Sequence, residues 1–246
     1  MPKASLLADA QREAVLLLTL FRGDRVLRAM LGIFLAVVLA MILIYVAAGP
    51  WAGTSSIGHA LRHNFDLGLD DMLPEQFNHG LAFLAVMLFL MCFIELRSRV
   101  MIFLAALYGF IWFDDSVSFH ERAGGKIGAV LNLPKTLGLG PQELGELLAW
   151  AMGGVFVALV FLWFWRRRRA GDLGVVVPFL LCFVWLVFFG MVVDMLHALL
   201  PPQFSEAAGV IEDGGEMLVI AVSAALALGL ARHGTAYYRR IAAGSD

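Results

Sequence analysis

Apolar residues fall into six nearly continuous runs, near 29–49, 79–96, 100–118, 146–165, 174–198 and 212–231, with short polar stretches between them. A helix needs about 20 residues to cross a hydrocarbon core about 30 Å thick, and each run approaches that length. Barrel strands would alternate with a period of two. These runs do not, so they predict helices whose backbone groups bond within the segment. The expected fold is all-α, an integral membrane bundle of six transmembrane helices. The second run is short by strict count, and the third and sixth reach full length only with their acidic ends included. Some 28 residues precede the first run, which is itself longer than the 7–15 apolar residues usual in a leader, so it reads as a retained anchor.

Residues 1–28 form an arm and 232–246 a tail around the transmembrane domain 29–231. The arm mixes leucines with arginines, which suits a helix lying on the membrane face. Of the 246 residues, 61% are hydrophobic and 15% charged, and the mean hydropathy is +0.82. Soluble domains carry about 25% charged residues, so a soluble globular class is excluded. Cys92 and Cys182 fall inside runs and read as small apolar groups. No Gly-rich nucleotide motif and no basic folded domain is present, so nucleic acid is not an expected partner.

Charge then orients the bundle. Fourteen of the 18 Lys and Arg residues, from Lys3 through the Arg166–Arg169 run to Arg240, sit beside one set of ends. By the positive-inside bias, both termini are expected to be cytoplasmic. The same map places fourteen of the 20 acids on the other side, netting −10 outside and +8 inside. Trp163, Trp165, Tyr237 and Tyr238 have the placement of interfacial anchors.

The outer ends of three spans are polar at one level. The third ends in "DDSVSFHE", the fifth in "DMLH", and the sixth opens with "EDGGE". Asp194 and His197 share a helix face, as do Glu212 and Glu216, and Asp213 and Glu216. Asp114, Ser118 and Glu121 form a row if the helix continues, and His120 joins only if it breaks. Singly, such groups snorkel or, like Glu212 and Asp213 in a first turn, favour the helix dipole. Together they cost about 2.5–3.5 kcal/mol each at a bilayer centre and less near its edge, and three helices share that cost. Like charges at close range need a counter-charge, from Arg62, Arg122 or Lys126, or from a divalent metal. Carboxylates with two imidazoles suit zinc, manganese or iron(II), so Asp114, His120, Asp194, His197, Glu212, Asp213 and Glu216 are the candidate ligands. Asp115 and Glu121 are the candidate general bases. The Asp-x-x-His and Glu-x-x-x-Glu spacings partly match carboxylate-bridged two-metal bundles.

With these motifs the chain resembles uncharacterised bacterial multi-pass membrane proteins that share "DD" then "HE", "DMLH", and "EDGGEM" over about 60–225. It is distantly similar to the membrane hydrolases that include alkaline ceramidases and the progestin and adiponectin receptors. That likeness implies zinc held by histidines, an aspartate and a serine, here Ser116 or Ser118 near Asp115 with His120 and His197. The chain departs from the family in having six spans rather than seven, and Glu212 and Glu216 where paired histidines stand.

Glu95 beside Arg97 and Arg99 reads as an interfacial ion pair. The stretch with His63, Asp66, Asp70, Asp71, Glu75 and His79 reads first as a solvated acidic loop and second as added ligands, and "GGKIGAVLNLPKTLGLG" reads as a loop. Three functions follow. In order, they are a metal-dependent intramembrane enzyme acting on a lipid-like substrate, a non-catalytic protein locked by a polar cluster, and a proton or cation transporter. The last lacks a polar route inward of the cluster.

Overall fold

A computed structural model describes residues 6–69, 71–136 and 138–244. The positions of Lys3 and Asp70 lie outside these. The chain is all-α. Helix α1 spans Leu6–Gly23, α2 Arg25–Ala52, α3 Ser56–Asn64, α4 Leu73–Leu96, α5 Arg99–Ser116, α6 Phe119–Val130 and α7 Pro141–Trp165. Helix α8, Asp172–Val187, continues through a π-helical stretch at Phe188–Val193 into α9, Asp194–Leu199, and α10 spans Ser205–Ala243. Among the described residues, five helical segments are long and apolar enough to cross a membrane, and a sixth is counted if α5 and α6, bent by 69° between them, are taken as one span. The protein is therefore a multi-pass membrane protein.

Helix α10 is the axis, packing against α2, α4, α8 and the π-helical stretch. Its buried face is built of small residues, including Gly214, Gly215, Ala221, Ala224, Ala227 and Gly229. Lipid tails are as apolar as leucine, so close backbone approach rather than hydrophobic burial associates helices in a bilayer. A Cβ on Gly215 would stand 2.3 Å from Phe189 Cδ1, and one on Gly229 2.7 Å from Leu27 Cδ2.

The same rule corrects the expected loop at "GGKIG". Gly124-x-x-x-Gly128 is helical and crosses α7 at close range, with a Cβ on Gly145 only 2.0 Å from the Gly124 carbonyl oxygen. Helix α10 also starts earlier than expected, so Glu212 and Asp213 lie about two turns inside it rather than in its first turn.

At the basic end, α1 buries Ala14, Leu17 and Phe21 against the bundle. Glu13 accepts from the backbone N–H of Gly171 at 3.0 Å and of Gly174 at 3.1 Å, capping α8 from another helix. Tyr237 is fully buried and donates to the Gly171 carbonyl, and Tyr238 donates to Asp172, so both tyrosines are internal clamps and not anchors. Glu95 accepts from Thr235 of α10 in place of the expected arginine pair.

Candidate functional site

At the opposite, acidic end the helices part around a cavity of about 580 Å³. Its floor is apolar, with Ala82, Ile111, Leu186, Met217 and Ile220. One turn further in, Tyr108 donates to Ser223 Oγ at 2.8 Å and Ser223 to the Val219 carbonyl at 2.8 Å, among the fully buried rings of Phe89 and Phe179. The polar groups met below the floor are thus paired with each other.

The walls are the reverse. Twelve carboxylates line the cavity: Asp66 and Glu75 from the α3–α4 segment, Asp114, Asp115 and Glu121 from α5 and α6, Glu143 and Glu146 from α7, Asp194 from α9, and Glu206, Glu212, Asp213 and Glu216 from α10. They are twelve of the fourteen acids assigned to this side by charge patterning. Among the described residues, neither Lys nor Arg lines the cavity. Arg62 stands at the rim, with Nη1 3.0 Å from Glu206 Oε1 and 2.9 Å from the Tyr45 carbonyl, and its guanidinium over the Tyr45 ring. Asp66 and Glu75 thereby belong to the wall rather than to a free acidic loop.

The break after α5 brings His120 to the cavity. Ser118 takes φ +45°, the left-handed region, and the chain turns back so that Asp114 Oδ1 accepts the His120 backbone N–H at 3.1 Å. His120 Nδ1 lies 2.9 Å from Asp114 Oδ2. A carboxylate only accepts, so this contact selects the Nδ1–H tautomer and leaves Nε2 as the acceptor of the neutral ring. The ring also faces Trp150, with centroids 5.2 Å apart.

His79, from the segment first read as a solvated loop, has Nε2 3.0 Å from Asp115 Oδ2, an ion-pair distance without an aligned hydrogen bond. His197 Nδ1 lies 2.9 Å from Glu212 Oε2, and its Nε2 lies 2.8 Å from Ser205 Oγ. Glu146 Oε1 accepts from Gln142 at 2.9 Å. Glu216 rests its carboxylate against Gly190 in the π-helical stretch, where a Cβ would stand 2.0 Å from Glu216 Oε1. Such stretches recur at functional sites because the extra residue re-aims the backbone. Asn78 is 7% exposed, lines the cavity, and its Oδ1 has no hydrogen-bond partner.

All nine candidate residues thus border one cavity, but the expected convergence on a metal is not what the structure assembles. Among the described residues, no three His, Cys, Asp or Glu side chains stand close enough to hold a metal ion. The physical reason is pairing: His79, His120 and His197 each face a carboxylate at 2.9–3.0 Å and lie on different walls. Of the three expected counter-charges only Arg62 reaches the site, at the rim against Glu206, while Arg122 and Lys126 do not line the cavity. Sequence reasoning missed Ser205, Asn78, Glu143, Glu146 and Glu206. Glu143 lies in the first turn of α7 and Glu146 in the second, and only the close α6–α7 crossing carries them to the wall.

These features define a class, the multi-pass helical membrane proteins with an acidic cavity at one end of the bundle. Within that class the chain belongs to the family described as domain of unknown function DUF8692, whose model matches residues 15–230. That stretch contains every residue lining the cavity. Neither a curated protein nor a solved structure matches the chain.

Proposed function

We propose that the cavity is a cation-binding site of a membrane protein, open to the outer face when the basic end is cytoplasmic. The observation that carries this is the wall of twelve carboxylates without a lining Lys or Arg. Carboxylates crowded under a low-dielectric roof repel one another, and a bound cation relieves that repulsion. The unpartnered side-chain oxygen of Asn78 supports a ligand, since buried polar groups in folded proteins are as a rule hydrogen-bonded. The volume falls in the range of about 300–1,000 Å³ usual for small-molecule sites. Acceptors spread over several walls, with the Trp150 ring also facing the cavity, suit an organic ammonium group better than a compact ion.

A divalent metal is the second reading, and one observation favours it. Asp114 orients His120 with Nε2 unprotonated, the arrangement that prepares an imidazole for metal. Asp194 or Glu146 would then have to swing toward it. A transport role has less support, because the floor is apolar and closed by the Tyr108–Ser223 pair.

The test is thermal unfolding of the detergent-purified protein with spermidine or Mn²⁺, beside elemental analysis. A saturable rise with spermidine, lost in Glu216→Gln, is the expected outcome. A stoichiometric tightly held metal would favour the second reading, and no response to either cation would overturn both.

A further inference from the structure

The mouth of the cavity holds a constellation that cation binding does not require. Ser205 Oγ is 2.8 Å from His197 Nε2, and His197 Nδ1 is 2.9 Å from Glu212 Oε2. Glu212 can only accept, so Nδ1 carries the proton. In the neutral ring Nε2 is then the acceptor, and the Ser205 hydroxyl must donate to it. This is the polarity a general base needs toward a nucleophile: hydroxyl to Nε2, Nδ1–H to carboxylate.

The local chain holds these parts together. Helix α9 ends at Leu199, a short 3₁₀ turn at Pro202–Phe204 follows, and the Phe204 N–H bonds the Pro201 carbonyl at 2.9 Å. That tight corner returns Ser205 to the side of His197 as the first residue of α10. Glu212 lies seven residues further along α10, two turns on and therefore on the same face.

Access and electrostatics match. Ser205 is exposed, the His197 side chain is 30% exposed, and Glu212 is more sheltered at 18%. All three line the cavity. The first turn of α10 begins at Ser205, so its backbone N–H groups lie at the helix end that carries the hydroxyl. Arg62, paired with Glu206, brings positive charge to that side of the mouth.

We infer that Ser205, His197 and Glu212 form a serine acyl-transfer triad that hydrolyses a carboxylic ester presented at the membrane interface. Ser205 Oγ bonds to the ester carbonyl carbon while its proton passes to His197 Nε2, and the carbonyl π pair moves onto oxygen beside the first-turn N–H groups. Return of that pair breaks the bond to the alkoxy oxygen, which leaves as an alcohol with the proton from Nε2. Water then adds to the acyl-Ser205 carbonyl, giving a proton to Nε2. Collapse expels Ser205 Oγ, which takes that proton back, and the acid departs. Ser205 and His197 are the catalytic residues, and Glu212 is a positioning residue that sets the tautomer.

The test is labelling of the full-length detergent-purified protein with a neutral alkyl fluorophosphonate, read by peptide mass spectrometry, alongside hydrolysis of p-nitrophenyl butyrate. The probe carries no positive charge, so its result is independent of the spermidine titration. The expected result is a phosphonyl adduct on Ser205 that is absent in Ser205→Ala and forms at least about 100-fold more slowly in His197→Gln. Glu212→Gln lowers kcat about tenfold or more at unchanged KM, a split that loosened packing would not produce. No adduct on Ser205 in the wild-type protein overturns the inference, as does an undiminished rate in a His197→Gln protein with wild-type thermal unfolding. The wild-type labelling decides the matter even if a variant fails to fold.

Discussion

Ser118 turns the chain between the third span and the cavity wall. Its φ of +45° is unfavourable for any residue with a Cβ, by about 1–2 kcal/mol. It persists because the turn lets His120 bond Asp114 through both its backbone N–H and its ring. Ser118→Gly is expected to raise stability by about 1 kcal/mol, and Ser118→Val to lower it, both read by unfolding in detergent. If the two variants are equally stable, the strain is not there. Sequence alone offered two alternatives, a continuous row of Asp114, Ser118 and Glu121 or a break that admits His120. Serine is not a residue that announces a left-handed backbone, which is why the choice fell to tertiary contacts.

Among the elements, α1 shows how a polar residue can dock a helix. Its alternation of leucine and arginine suits a membrane face, yet Leu17 and Phe21 pack on protein and Glu13 caps α8. The signal for that contact was a lone glutamate at an apolar-face position, indistinguishable by pattern from a solvated one. Glu13→Ala leaves two amide N–H groups at a buried helix start without an acceptor. The expected cost is about 2–4 kcal/mol, with earlier protease cleavage in the arm. Unchanged protease resistance would show that apolar packing alone holds α1. The α6–α7 pair was legible in principle, since Gly124-x-x-x-Gly128 is the spacing of close-crossing membrane helices. Its many glycines, with no nucleotide-binding motif among them, made it read as a loop.

Across the whole molecule, polarity is segregated by end. The acidic end encloses the cavity, and the basic end is closed by buried clamps. A half-buried clamp there is Asp24, which starts α2 by accepting the Val26 and Leu27 N–H groups and joins α10 through Arg232 at 2.7 Å and His233 at 2.8 Å. Those two partners, Arg232 foremost, hold its carboxyl well below the ordinary value of 3.8. A depressed carboxyl contributes stability that is complete above its unfolded value and lost as pH falls through the folded one. Asp24→Asn is therefore expected to lower the thermal midpoint between pH 7 and about 4, with the gap to wild type closing on further acidification. A gap that stays constant below that range would rule out the ionised pair as its source.

Hydropathy by itself determined that the chain spans a membrane as helices, and roughly where, because a hydrocarbon slab demands long apolar segments with internally bonded backbones. Charge asymmetry likewise determined which ends of the spans lie together. Only the tertiary structure decided that Glu146 meets Asp194's cavity, that His79, His120 and His197 face carboxylates on different walls, and that Ser205 reaches His197. Those relations depend on helix rotation, on the break at Ser118 and on the corner at Pro201, where a few ångströms and one backbone angle separate a ligand set from a row of pairs. A linear pattern records which residues share a face, but not which faces meet.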